Sequence, residues 1–107
     1  MSETYNFPKP NAPFETLEEL VRKTHEWSQD SKNVRLLSEK HAQEQKKKRN
    51  VTSRQIFEVL RSGKGISGPT LDEHGDWRIK LKKFTAGRVV QVVVVVKKNY
   101  LIVVTVI

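Results

Sequence analysis

Cysteine is absent from this chain, and with it go any disulfide framework and any thiolate metal site. That absence fits a reducing cytoplasm. Long apolar runs are also missing. The valine-rich run Val89 to Val96, interrupted by Gln91, is less than half a membrane-spanning helix and is followed by Lys97 and Lys98. The chain start, Met1 to Pro8, has neither the basic opening nor the apolar run of a secretory signal. No membrane partner is expected. Metal-ligand spacing, a phosphate loop and a nucleophile elbow are all wanting, so no cofactor is expected; the glycine-rich Gly63 to Gly68 lacks phosphate-loop spacing. Acidic residues are fewer than basic ones, 12 against 20, for a formal net charge of +8. With 107 residues the chain has room for one modest core.

The charge is unevenly spread. Residues 1–30 carry three basic and six acidic groups, a net of −3; residues 31–64 carry ten and three, +7; residues 65–107 carry seven and three, +4. An acidic leader on a basic body points to a body that meets polyanions, nucleic acid above all. A solubilising surface is the plainer alternative.

Three prolines within Met1 to Pro13 predict a flexible leader. Thr16-Leu17-Glu18-Glu19 reads as a capping box opening an accessory helix over 14–30, with Leu17, Leu20, Val21 and Trp27 as its docking stripe. Val34 to Leu37 is either an edge strand or the entry to a second helix. That helix, Glu39 to Arg49 behind the N-cap Ser38, has almost no apolar face. Thr52 to Gln55 starts another, with Ile56, Phe57, Val59 and Leu60 inward and Gly63 as its stop. Lys64 to Gly75 reads mostly as loop, with a short strand around Lys64-Gly65-Ile66 as the alternative at its start. From Trp77 the period becomes two, predicting a strand at Trp77–Lys82; the next two strands, Arg88–Val96 and Tyr100–Ile107, read as apolar on both faces, as expected of central strands covered on both sides. The expected fold is α+β: helices packed on a twisted antiparallel sheet of three to four strands, a single domain over 14–107.

Four places could carry chemistry. Lys46, Lys47, Lys48 and Arg49 form a dense cationic run that suits phosphate, or simply complements a helix dipole. Arg78, Lys80 and Lys82 share one face of one strand, answered by either the acidic loop Asp72-Glu73-Asp76 or a nucleic-acid backbone. His41 could transfer a proton near neutral pH or hold a structural hydrogen bond. Thr105 is the single polar residue between Leu101 and Ile107, and strand propensity alone would explain it.

From Leu37 onward the chain resembles a family of small prokaryotic domains of unknown function related to the RelE-like and BrnT-like toxins of toxin–antitoxin systems. The carrying residues are Ser38, His41-Ala42, Arg49, Val51 to Leu60, Gly63, Gly75 to Arg78, the valine-rich strand and Val103 to Val106. The resemblance implies a RelE-like topology for a core over 34–107 and, as function, metal-independent RNA cleavage by a toxin-type endoribonuclease. It implies that His41, Arg49, Arg78 and Thr105 line one cleft, His41 moving protons and Arg49, Arg78 and Lys80 meeting the phosphate. Relatives commonly carry arginine at Gln45 and an apolar residue at Lys46, so this chain departs toward binding. The alternative function is a non-catalytic module of the same fold that binds nucleic acid through Lys46, Lys47, Lys48, Lys80 and Lys82, or that binds a partner. Expected partners are RNA rather than DNA, and an antitoxin protein.

Overall fold

A computed structural model describes residues 9–36 and 51–107, Leu36 by its backbone alone. Helix α1 is Leu17–Trp27, followed by a short 3-10 turn at Ser31–Asn33 and strand β1, Val34–Leu36. After residue 51 come helix α2, Ser53–Ser62, and strands β2, Lys64–Leu71; β3, Trp77–Thr85; β4, Arg88–Val96; and β5, Leu101–Val106. They form one five-stranded sheet in the order β1-β5-β4-β3-β2.

Both helices begin where side chains replace missing backbone acceptors. Thr16 N–H donates to Glu19 Oε1 at 2.9 Å and Glu19 N–H to Thr16 Oγ1 at 3.2 Å. Thr52 and Gln55 repeat the pattern at 2.9 and 3.1 Å. Gln55 does more than cap: its Nε2 donates to Thr85 O at 3.2 Å, tying the start of α2 to the end of β3. The two helices are clasped at their far ends, where Arg61 Nε donates to Ser28 O at 2.8 Å and His25 Nε2 lies 2.7 Å from Gly63 O.

Both helices pack on one face of the sheet. Leu20 from α1 and Ile56, Val59 and Leu60 from α2 meet Ile79, Leu81, Val90, Val92, Val94, Leu101, Val103 and Val106, all at most 2 % exposed. Period-two alternation delivers that set, because in-register antiparallel partners point the same way: Ile79 opposite Val94, Leu81 opposite Val92. Gly65 is beside Leu81, and a Cβ there would fall 2.5 Å from Val21 Cγ2, so α1 lies where a side chain is missing.

Three expectations change. The sheet has five strands rather than three to four, because β2 runs as an eight-residue strand well past Ile66, through a segment read mostly as loop. Its glycines and Pro69 do break the ladder, with register shifts on both sides of Ser67, but β2 is an edge strand and needs pairing on one side only. The sheet is mixed rather than antiparallel, because Val34–Leu36 is a strand and pairs parallel to β5, Val34 opposite Leu101. Strand β3 runs to Thr85, and Ala86 and Gly87 turn it, both with positive φ (51° and 82°). The expected helix over Glu39–Arg49 lies outside the described residues.

The leader is described from Lys9. Asn11 N–H donates to Gly75 O at 2.8 Å, Asn11 Nδ2 to His74 O and Asp76 Oδ1 at 2.9 Å each, and Trp77 Nε1 to Ala12 O at 3.1 Å. Phe14 meets Trp77 edge-to-face, ring centroids 5.5 Å apart. Residues 9–14 are therefore strapped across the β2–β3 turn. Among the described residues no helix is long and apolar enough to cross a membrane.

Candidate functional site

The face of the sheet turned away from α1 and α2 carries Arg78, Lys80, Lys82 and Thr105. Alternation from Ile79 and Leu81 inward puts Arg78, Lys80, Lys82 and Phe84 outward. Their partners on β4 are Val95, Val93, Gln91 and Val89, and on β2 the partners of Arg78, Lys80 and Lys82 are Thr70, Ser67 and Lys64. Across β4, Val93 pairs with Thr105 and Val95 with Ile102, which itself pairs with Arg35. Two rows thus cross the sheet, Ser67–Lys80–Val93–Thr105 and Thr70–Arg78–Val95–Ile102–Arg35. Register at the second row differs from the first because β5 shifts by one residue between Val103 and Thr105.

The cations on this face are not alike. Arg78 is half-buried and its Nε reaches Asp72 Oδ2 at 3.4 Å. Asp72 is the hub of the β2–β3 turn: its Oδ1 also accepts from His74 N–H at 2.8 Å and Asp76 N–H at 2.9 Å. Burial alone would push the Asp72 carboxyl up. The two backbone N–H groups and the Arg78 guanidinium outweigh it and hold the carboxyl below the usual aspartate range. Asp76 is engaged as well, by Asn11 and by Lys97 Nζ at 2.8 Å. Its carboxylate holds the Lys97 ammonium above the usual lysine range against the opposing pull of desolvation. Glu73 faces His74 at 3.6 Å.

The acidic loop is therefore occupied. It answers Arg78, and neither Lys80 nor Lys82 meets a carboxylate within 4.0 Å among the described residues. Lys64 and Lys82 stand directly opposite each other across β2 and β3, both exposed. Like charges in that arrangement destabilise a sheet unless something negative lies over them. Arg35 is settled differently, with its guanidinium 4.4 Å from the centre of the Tyr100 ring.

Of the residues singled out from the sequence, Arg78, Lys80, Lys82 and Thr105 share this one face. His41, Lys46, Lys47, Lys48 and Arg49 lie outside the described residues, in the segment that joins β1 to α2. Lys64 went unnoticed in the sequence, because only its pairing with Lys82 makes it part of the cluster. Phe84 and Gln91 were also missed, although extending the period of two past Lys82 would have put Phe84 on the cationic face. Among the described residues, no three of His, Cys, Asp and Glu gather as a metal-ligand set.

No curated protein and no solved structure matches this chain. Residues 39–107, which take in α2 and strands β2 to β5, do match a family, described as a domain of unknown function (DUF4258). The sheet face bearing Arg78, Lys80, Lys82 and Thr105 falls within that match, α1 and β1 fall before it, and the chain belongs to the DUF4258 family.

Proposed function

We propose that the outer face of the sheet binds the sugar–phosphate backbone of RNA. The observation that carries this reading is the trio Lys64, Lys80 and Lys82: three cations on one face, two of them cross-strand partners, with the neighbouring carboxylates engaged elsewhere. Such contacts fix position on a polyanion without reading its sequence, and their strength comes from counterion release. The net charge of +8 adds steering to the encounter. The test is fluorescence anisotropy with a labelled single-stranded RNA at several salt concentrations. Each lost phosphate contact lowers the slope of log K against log salt by about 0.7. The triple variant Lys64→Gln, Lys80→Gln, Lys82→Gln is expected to flatten it by roughly 2 in total. An unchanged slope rejects the face as the binding surface.

A second reading builds on the first: RNA cleavage without metal, by a domain related to the RelE-like toxins. What favours it is the row Lys80–Val93–Thr105, which puts a hydroxyl on the same face as the cations, two strands or roughly 10 Å from Lys80. The segment carrying His41 and Arg49 leaves the sheet at β1, the neighbour of β5. In this reading His41 transfers the proton, and Arg49, Arg78 and Lys80 meet the charge that develops on the phosphate. General acid–base catalysis is worth about 100-fold or more, so His41→Ala should lose at least that in EDTA-containing buffer. Equal cleavage by wild type, His41→Ala and Arg78→Ala would mark a contaminating nuclease and end this second reading.

A further inference from the structure

The cationic face ends in exposed apolar groups. Phe84 is 69 % exposed and Val89, its cross-strand partner, 53 %. Single exposed apolar residues are ordinary on protein surfaces. This pair is distinguished by its company. Lys82 is on the same strand and face as Phe84, roughly 7 Å away, and the residue opposite Lys82 is Gln91. The Gln91 side-chain amide makes no hydrogen bond to another described residue. A cation, a free amide with donor and acceptor, and an aromatic ring seated beside a valine therefore stand together on one open surface.

Resting on the reading of this face as RNA-binding, we infer that Phe84 is a stacking platform for an unpaired base, so the RNA recognised is single-stranded at this point. The chemistry matches part for part. Lys82 and Lys64 take the phosphates on either side, the Phe84 ring takes the face of the base, and the Gln91 amide reaches its polar edge. A duplex hides base faces within its own stack and cannot use the ring. Charge complementarity selects this occupant over an apolar protein surface, because docking such a surface here would bury Lys64 and Lys82 without a counter-charge.

The experiment compares three labelled ligands on the full chain: a short unstructured RNA, an abasic strand of equal phosphate count, and an RNA duplex. Wild type is expected to prefer the base-bearing strand over the abasic one. Phe84→Ala should weaken binding of the base-bearing strand roughly 5- to 150-fold, the range of one lost base–aromatic stack. It should leave the abasic strand and the duplex unchanged. Phe84→Trp should retain the preference. An unaltered melting transition shows that the variant is folded. If Phe84→Ala binds the base-bearing strand as wild type does while the triple lysine variant weakens all three ligands, the stacking platform is rejected and the phosphate-binding face stands. If the lysine variant also changes nothing, both fall. If Phe84→Ala instead converts a wild-type dimer to a monomer in sedimentation, the ring belongs to a contact between copies and the inference is overturned.

Discussion

The two faces of one sheet are built from the same strands, residue by residue, and differ most toward the β3–β4 turn. Toward the helices, Ile79, Leu81, Val90, Val92 and Val94 are at most 1 % exposed and touch α1, α2 or each other. Outward, Lys82, Phe84 and Val89 are exposed and Lys80 and Gln91 half-buried, whereas Val95, farther along the same face, is 3 % exposed. Neighbours one residue apart therefore answer to different constraints. Leu81 is held by volume and Lys82 by whatever it meets in solution. The inner face decides whether the chain folds, and the outer face is free to specialise.

The sharpest way to break that comparison is at adjacent positions. Leu81→Ala should cost about 2–5 kcal/mol in denaturant unfolding, since it removes a fully buried side chain among packed neighbours. Lys82→Ala should stay within about 0.5 kcal/mol. Equal effects would mean that the outer face is as structural as the inner one. Next in size is Gly65→Ala. Its new Cβ would press on Val21 and Leu17 of α1, at an expected cost of about 1–3 kcal/mol, read by thermal unfolding.

A third variant tests the boundary between the faces. Asp72→Asn removes the carboxylate that organises the β2–β3 turn and holds Arg78, at a cost of about 1–2 kcal/mol near neutral pH. The Asp72 carboxyl titrates below its ordinary range in the folded chain. Its contribution is therefore present above the unfolded aspartate pKa and is lost as pH falls through the folded one. The gap between wild type and Asp72→Asn should accordingly close as pH drops below about 4. A gap that widens toward acid would contradict the assignment. The smallest effect is expected at the β3–β4 turn, where Ala86 has a positive φ of 51°. Ala86→Asn should stabilise by up to about 1 kcal/mol, because asparagine tolerates that conformation better. The turn also pins the register, and a slip of one residue would exchange the two faces.

Much of this could be read directly from residue order. Both capping boxes appear as Thr-x-x-Glu and Thr-x-x-Gln, and both form with reciprocal hydrogen bonds. Strand β4 has the expected bounds, Arg88–Val96, and β5 differs from expectation by one residue at either end. Those signals are local: a cap acts over three residues and alternation needs only a few. Strand β2 was legible only at its start, around Lys64 to Ile66, because glycine and proline speak against a strand beyond it, while its pairing with β3 is a property of the sheet. The parallel pairing of β1 was hidden for the same reason, since Val34 and Leu101 are far apart in sequence. In the candidate site, the sequence put Arg78, Lys80 and Lys82 on one face but could not divide them.

What residue order alone determined is the inner face and its helices: hydrophobic period and capping chemistry are written within a few neighbouring residues and leave little choice. What only tertiary structure decided is the partner of each outward charge. The turn brings Asp72 to Arg78, the leader and the β4–β5 connection bring Asn11 and Lys97 to Asp76, and β2 brings Lys64 to Lys82. Charge pairing depends on separation in space, falling with distance and with exposure to water. Chain order cannot state those distances, and the fold that sets them leaves Lys64, Lys80 and Lys82 facing outward together.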